Sequence, residues 1–190
     1  IDFWNNENFQ DSFQVLCSMY VESHLSIAET RIMITQSAFE LLAWLILTQE
    51  NLIISEDGLD KKLPASDLLR LLFSWLQIPT KIPPIENASF LTEIQKIAKE
   101  ENLLDSPECI TRIRNRITHP KRKTKKEKQN KTSLFKYCNQ SRWETSNLCL
   151  WYLEMCLLKI MNYQGFYSYR LRFKWVGDYD PVPWQKHDIQ

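Results

Sequence analysis

Apolar side chains recur at helical intervals along most of the chain, and this periodicity predicts an all-α fold. Pro79, Pro83 and Pro84 exclude regular helix from the stretch that contains them. Glu56–Pro64 is predicted as a loop, because acidic residues and Gly58 precede its closing proline. The predicted helices span residues 11–22, about 26 to 46, 66–76, 89–100, about 106–119 and 142–162.

Two of these helices carry apolar residues on more than one face. The second begins with Ser26 as a candidate N-cap and Glu29 as its reciprocal partner in a capping box. It then shows two apolar stripes, which indicates that it is covered on two sides. The last helix is either central in a helical bundle or shared with a second subunit. The stripes of the second helix comprise Ile27, Ile34, Ala38, Leu41, Leu42 and Leu45, and Ile32, Phe39 and Ile46.

The C-terminal segment from Gly165 to Trp184 is rich in aromatic residues. Large rings dominate burial, so we expect a packed extension that crosses the bundle and places its aromatic side chains in the core or in a lid. The residues are Phe166, Tyr167, Tyr169, Phe173, Trp175, Tyr179 and Trp184.

Length and composition favour one domain that covers residues 1–190, with a core over about 10–165 and an extension over 166–190. The 190 residues include 3 glycines and are 44% hydrophobic, which suits one helical core. The chain begins without Met or a signal peptide, so we expect the C-terminal part of a longer protein. The apolar stretch Leu148–Met161 contains Glu154 and Lys159 and is too short for a bilayer. We therefore expect a soluble, cytoplasmic protein without membrane contact.

The five cysteines contain no Cys-x-x-Cys pair. Cys149 and Cys156 lie seven residues apart in an apolar helical pattern, where cysteine usually behaves as a small buried hydrophobe. We expect reduced, structural thiols, and zinc binding has little support.

The charges are strongly polarised, although the net charge is only +1. Residues 121–131 contain seven Lys or Arg and one Glu, a segment charge of +6, which leaves −5 for the remainder. Such a run is either a solvated loop or a site for nucleic acid.

Directly before this run lies Arg114-Asn115-Arg116-Ile117-Thr118-His119-Pro120. Pro120 disfavours α geometry at His119 and so ends the helix there. Asn115 and His119 share one face at about 100° per residue, whereas Arg114 is about 140° from His119. Convergence requires the long Arg side chain, an unwound last turn or a second copy of the motif. Alternatively, His119 caps the helix and Arg114 pairs with a surface carboxylate.

This motif resembles the signature of the HEPN superfamily, an Arg, a polar residue, three variable residues and a His near a helix end. The resemblance covers about residues 10–165 and is strongest to the Apea-like HEPN domains of anti-phage defence proteins. It implies a helical bundle that forms a homodimer and cleaves RNA without metal. Our leading hypothesis is therefore a ribonuclease effector of a toxin or abortive-infection system, which an upstream domain or a partner protein holds in check. The resemblance assigns proton transfer to His119, phosphate binding to Arg114 and an orienting role to Asn115. Lys121 stands where a toxin branch of the family has a regulatory Tyr.

The residue chemistry suits RNA cleavage by the neighbouring 2′-hydroxyl. Imidazole can accept or donate a proton near neutral pH, and guanidinium matches phosphate oxygens. No metal-ligand motif and no Gly-rich phosphate loop occurs in the sequence, so neither a metal nor another cofactor is expected. The alternative is a non-catalytic HEPN module for RNA binding or dimerisation. The residues predicted to bind RNA are Arg116, Lys121, Arg122, Lys123, Lys125, Lys126 and Lys128.

Overall fold

The structure of the protein, a computed structural model, describes residues 7–119 and 138–185, and this part of the chain is all-α. A π-helical segment, Trp44–Glu50, continues the second helix. Two short strands, β1 (Phe166–Tyr167) and β2 (Asp180–Pro181), pair antiparallel. The predicted helical class is confirmed. Its helices are α1 (Glu7–Leu25), α2 (Ala28–Ala43), α3 (Glu56–Lys62), α4 (Ala65–Trp75), α5 (Thr92–Glu101), α6 (Ser106–Thr118) and α7 (Asn139–Ile160).

The last helix, α7, lies at the centre of the bundle. It packs against α1, α2, α5 and α6, and every residue from 144 to 153 is buried. The ring of Tyr152 stacks on Phe73 with 4.2 Å between centroids, and its hydroxyl donates to the carbonyl of Pro79 at 2.9 Å. The wide apolar surface of this helix is therefore covered within the chain, and it gives no reason to expect a second subunit.

The start of α2 differs from the prediction. The hydroxyl of Ser26 donates to the carbonyl of Glu22 at the end of α1, and Ile27 occupies the N-cap position without a side-chain hydrogen bond. The predicted capping box with Glu29 is therefore wrong, because Ser26 completes the preceding helix. Ile27 is 71% exposed and does not belong to the buried stripe.

Residues predicted as a loop form the short helix α3. The hydroxyl of Ser55 accepts a hydrogen bond from the backbone N–H of Gly58 at 3.1 Å and caps this helix. Glu56 and Asp57 lie in its first turn, where negative charge is favourable to the helix dipole. The cap and these charges outweigh the helix-breaking tendency of Gly58.

One described stretch, Ala28–Glu50, is long and apolar enough to cross a bilayer by length and composition alone. Its most apolar window has a mean hydropathy of 1.3, and 61% of that window is buried inside the protein. A core helix of a bundle has the same composition. Burial in this fold therefore accounts for its hydropathy.

The C-terminal segment packs across the bundle as predicted, but only some of its aromatic side chains are buried. Tyr167, Tyr169 and Trp184 pack against the core, and Leu171 between them is fully buried. The expectation of core or lid positions is wrong for four rings, since the exposed fraction of Trp175, for example, is 86%. The exposed rings are Phe166, Phe173, Trp175 and Tyr179.

An ion pair fastens this extension to the bundle. The guanidinium Nε of Arg170 donates to Glu154 Oε2 of α7 at 2.8 Å. Tyr20 of α1 donates to the other oxygen of Glu154 at 2.7 Å, and His24 lies 4.0 Å from it. The extension is thus tied to α1 and α7 together.

The five cysteines are unpaired. Cys109, Cys149 and Cys156 are buried, and burial raises the pKa of the Cys149 thiol to about 12. Cys138 is exposed and its sulfur accepts from the backbone N–H of Ser141 at 3.5 Å, so it caps α7.

Candidate functional site

The helix α6 carries the Arg-Asn-x-x-x-His motif, and its start is fixed as predicted. Asp105 accepts a hydrogen bond from the backbone N–H of Glu108 at 3.0 Å, and Pro107 occupies an early helical position. Arg70 of α4 donates to both carboxylate oxygens of Asp105, at 2.6 and 3.0 Å. The cap and the ion pair together fix α6 against α4.

One face of α6 packs on the core, and the other carries polar side chains toward solvent. Cys109, Ile110 and Ile113 are fully buried and hold the helix on the core. The opposite face repeats polar residues at intervals of three and four, which places them in one row along the helix. That row consists of Arg112, Asn115, Arg116 and His119.

This polar row lines a surface groove of about 530 Å³. Ser66, at the start of α4, also lines the groove, and so do Glu108 and Thr111 of α6 itself. Glu108 lies 3.8 Å from both Arg70 and Arg112 and is therefore neutralised by its neighbours. Within the described residues Arg116 makes no ion pair. The groove thus offers cationic groups to an anionic ligand.

His119 ends the helix, as Pro120 predicts. Its backbone has φ −126° and ψ 69°, outside the α region, while its N–H still donates to the carbonyl of Asn115 at 2.9 Å. The side chain is exposed and lines the groove. The imidazole is accordingly accessible to a ligand.

Arg114 points away from the groove, toward α2. Its Nη1 donates to Asn115 Oδ1 at 2.9 Å, and its Nη2 lies 3.5 Å from Glu40 Oε1. Its Nε is buried and has no acceptor among the described residues. Gln36, one turn before Glu40, donates from Nε2 to the same Glu40 oxygen at 3.0 Å.

Asn115 lies between the groove that contains His119 and the flank of α6 where Arg114 contacts Glu40. Its side chain contacts Arg114 on one flank of α6 and lines the groove that contains His119. Arg114 itself does not line the groove. The structure therefore brings Arg114 to Asn115, and Asn115 to His119, but does not place Arg114 and His119 in one cleft.

Three residues that line the groove or contact the motif, Arg112, Glu40 and Gln36, were not predicted from the sequence. Arg112 could have been found, because it lies three and seven residues before Asn115 and His119 on one helical face. Glu40 and Gln36 gave no such signal, since Glu40 and Arg114 are 74 positions apart. The predicted RNA-binding residues of the basic run lie outside the described residues, namely Lys121, Arg122, Lys123, Lys125, Lys126 and Lys128.

Residues 7–119 and 138–185 contain no group of three or more His, Cys, Asp or Glu side chains that could hold a metal ion. Besides the carboxylate of Glu108, which pairs with Arg70 and Arg112, the groove is lined by guanidinium, amide, hydroxyl and imidazole groups. Such groups bind anions and exchange protons.

Comparison with known proteins gives two matches. The family described as the YopA C-terminal domain matches residues 6–180. The chain is also 28% identical over 189 residues to the SPbeta prophage-derived uncharacterized protein YopA of Bacillus subtilis (strain 168). That alignment covers 98% of this chain and 37% of the relative, so the chain spans little more than a third of the relative's length. No solved structure matches the chain. The chain belongs to the YopA C-terminal domain family.

Proposed function

We propose that this domain is a metal-independent endoribonuclease of the HEPN type, which cleaves RNA by attack of the 2′-hydroxyl. The observation that carries the proposal is the cluster at the C-terminal end of α6, where Asn115 contacts Arg114 and shares a cationic groove with the exposed His119. The cluster contains the groups that this reaction needs, a proton carrier, a phosphate-binding cation and an orienting amide.

Each residue has a separate task in the proposed reaction. His119 either accepts the proton of the attacking 2′-hydroxyl or donates a proton to the leaving 5′-oxygen. Arg114 binds the scissile phosphate and stabilises the charge that develops on it. Asn115 holds the guanidinium of Arg114 in place. Arg112 and Arg116 position the RNA strand along α6, because both line the groove beside His119.

The basic run supplies long-range attraction for RNA in this proposal. Its charge of +6 follows the motif directly in the sequence. Release of counterions from the phosphates makes such binding strongly dependent on salt. In this proposal the nuclease acts in an abortive-infection or toxin system, which fits the prophage origin of the Bacillus subtilis relative.

The proposal includes a homodimer, in which two motifs face each other across one cleft. Arg114 and His119 lie on different flanks of α6, so a second copy supplies the partner that the first lacks. The sedimentation mass of the purified protein, measured together with its activity, tests this part of the proposal.

The second candidate is a non-catalytic HEPN module that binds RNA or mediates dimerisation. The orientation of Arg114 favours it, because its guanidinium contacts Glu40 rather than the groove. Such a module binds RNA without cleaving it, so measurements of binding and cleavage on the same substrate separate the two candidates.

Incubation of the protein with 5′-labelled RNA in EDTA tests the proposed chemistry. We expect cleavage that leaves a 2′,3′-cyclic phosphate and a 5′-hydroxyl, because the 2′-hydroxyl is the nucleophile. An all-deoxy strand of the same sequence should remain intact. Strict dependence on Mg²⁺ or Mn²⁺, or cleavage of the deoxy strand, would contradict the mechanism.

A further inference from the structure

Glu40 occupies one edge of the Arg114 guanidinium, and it fills that edge only in part. A carboxylate or phosphate that binds two guanidinium nitrogens forms two parallel hydrogen bonds. Here one oxygen of Glu40 lies 3.5 Å from Nη2, whereas the neighbouring Nε is buried without an acceptor among the described residues. The edge of Arg114 that suits an oxyanion is thus half used by the protein itself.

Gln36 holds the same carboxylate from the other side. It is 1% exposed, and its Nε2 donates to Glu40 Oε1 at 3.0 Å, a shorter contact than the one with Arg114. Its own Oε1 is buried and has no donor within the described part of the chain. Glu40 therefore keeps a hydrogen-bond partner when Arg114 leaves it.

We propose that Glu40 is a resident anion, which a phosphate of the nucleic acid displaces from Arg114. The inference rests on the proposed function in one respect, since it assigns the phosphate to the same arginine. In the free protein Glu40 neutralises a guanidinium that is only 23% exposed. In the complex two phosphate oxygens accept hydrogen bonds from Nε and Nη2 of Arg114. Asn115 still accepts from Nη1, and Gln36 still donates to Glu40.

This exchange makes Glu40 a competitor of the ligand. The Glu40 carboxylate must move away from the guanidinium before a phosphate can bind there. Even then its negative charge repels the bound phosphate over a short distance. Replacement by Gln retains the shape and removes the charge. The Glu40→Gln variant should therefore bind a phosphate backbone more tightly than the wild type.

The test measures binding of a fluorescein-labelled all-deoxy oligonucleotide, which carries the phosphates but lacks the 2′-hydroxyl. Fluorescence anisotropy in EDTA should show Kd lowered by about three- to tenfold in Glu40→Gln. Glu22→Gln is the matched control, because it removes the same charge from an exposed position on α1. It should change Kd by less than about twofold.

A double-mutant cycle ties the effect to the guanidinium. In the Arg114→Ala background, Glu40→Gln should change Kd no more than Glu22→Gln does, because there is no cation left to release. Unchanged or weaker binding by Glu40→Gln overturns the exchange, and so does equal tightening in the Arg114→Ala background.

These outcomes are distinct from failure of the ribonuclease proposal. If the wild type cleaves no RNA but Glu40→Gln tightens binding through Arg114, the exchange stands and the nuclease assignment fails. If the wild type cleaves RNA in EDTA and Glu40→Gln leaves Kd unchanged, the nuclease assignment stands and the exchange fails.

Discussion

Arg114 has a different neighbour on each side of its guanidinium, and this arrangement decides what the residue can do. Asn115 accepts from Nη1, Glu40 lies beside Nη2, and Nε is buried without a partner among the described residues. The sequence could predict the first contact, because Asn115 is adjacent. It could not predict the second, because the pair forms only when α2 packs on α6.

At the same scale, Asn115→Ala should slow RNA cleavage by about 10- to 100-fold, because hydrogen bonds to charged groups contribute about 1.5–3 kcal/mol. Loss of the amide leaves Nη1 of Arg114 without its acceptor at 2.9 Å. Single-turnover kinetics at saturating protein measure the effect. Asn87→Ala, an exposed change outside the groove, is the control and should retain the wild-type rate. Equal rates for both variants would remove Asn115 from the mechanism.

At the scale of elements, the position of α6 depends on the contact between its N-cap and α4. Asp105 caps α6 and pairs with Arg70, and both interactions involve a side chain that is only 11% exposed. The Asp-Ser-Pro-Glu sequence predicted this helix start, because the residue types match a cap and a first turn. The ion pair with Arg70 could not be predicted, because it depends on how two helices pack.

Asp105→Ala should lower the free energy of unfolding by about 2 kcal/mol, since it removes both the cap and the charged partner of Arg70. Urea unfolding followed by circular dichroism measures the change. Asp67→Ala is the matched control, because Asp67 pairs with the same arginine from a side chain that is 46% exposed. It should cost less than about 1 kcal/mol. Equal losses would show that the cap of α6 adds nothing.

The junction of α1, α7 and the C-terminal extension should make stability depend on pH through His24. Burial lowers the pKa of His24, Arg170 lowers it further, and Glu154 at 4.0 Å acts in the opposite direction. Below the unfolded pKa of about 6.5 the unfolded chain then binds more protons than the folded protein. Stability contributed by neutral His24 is therefore lost as pH falls from about 6.5 through the lower folded pKa.

Urea unfolding between about pH 5 and 7 tests this dependence. The free energy of unfolding of the wild type should decrease more steeply with acidification than that of His24→Gln, which lacks the titrating group. Parallel curves for the two proteins would contradict the role of His24.

At the scale of the whole molecule, the sequence predicted the parts of the fold that follow from local pattern. The long apolar helices and the end of α6 at His119 are examples, because periodicity and Pro120 act locally. Two predictions were wrong. Residues predicted as a loop form α3, because the Ser55 cap outweighs the helix-breaking tendency of Gly58, and the ring of Trp175 is exposed despite its size. Both depend on competition between local and long-range contacts. The partners of the motif, Gln36 and Glu40, required the three-dimensional structure.

The central claim, that Arg114, Asn115 and His119 form a ribonuclease site, is tested most directly by RNA cleavage in EDTA with wild type and His119→Ala side by side. We expect the variant to lose at least about 100-fold in rate and to retain its helical circular dichroism, since His119 is exposed. His24→Gln, which changes a histidine outside the groove, should remain active. Equal cleavage by wild type and His119→Ala, or no cleavage by a wild type that binds the RNA, would contradict the account.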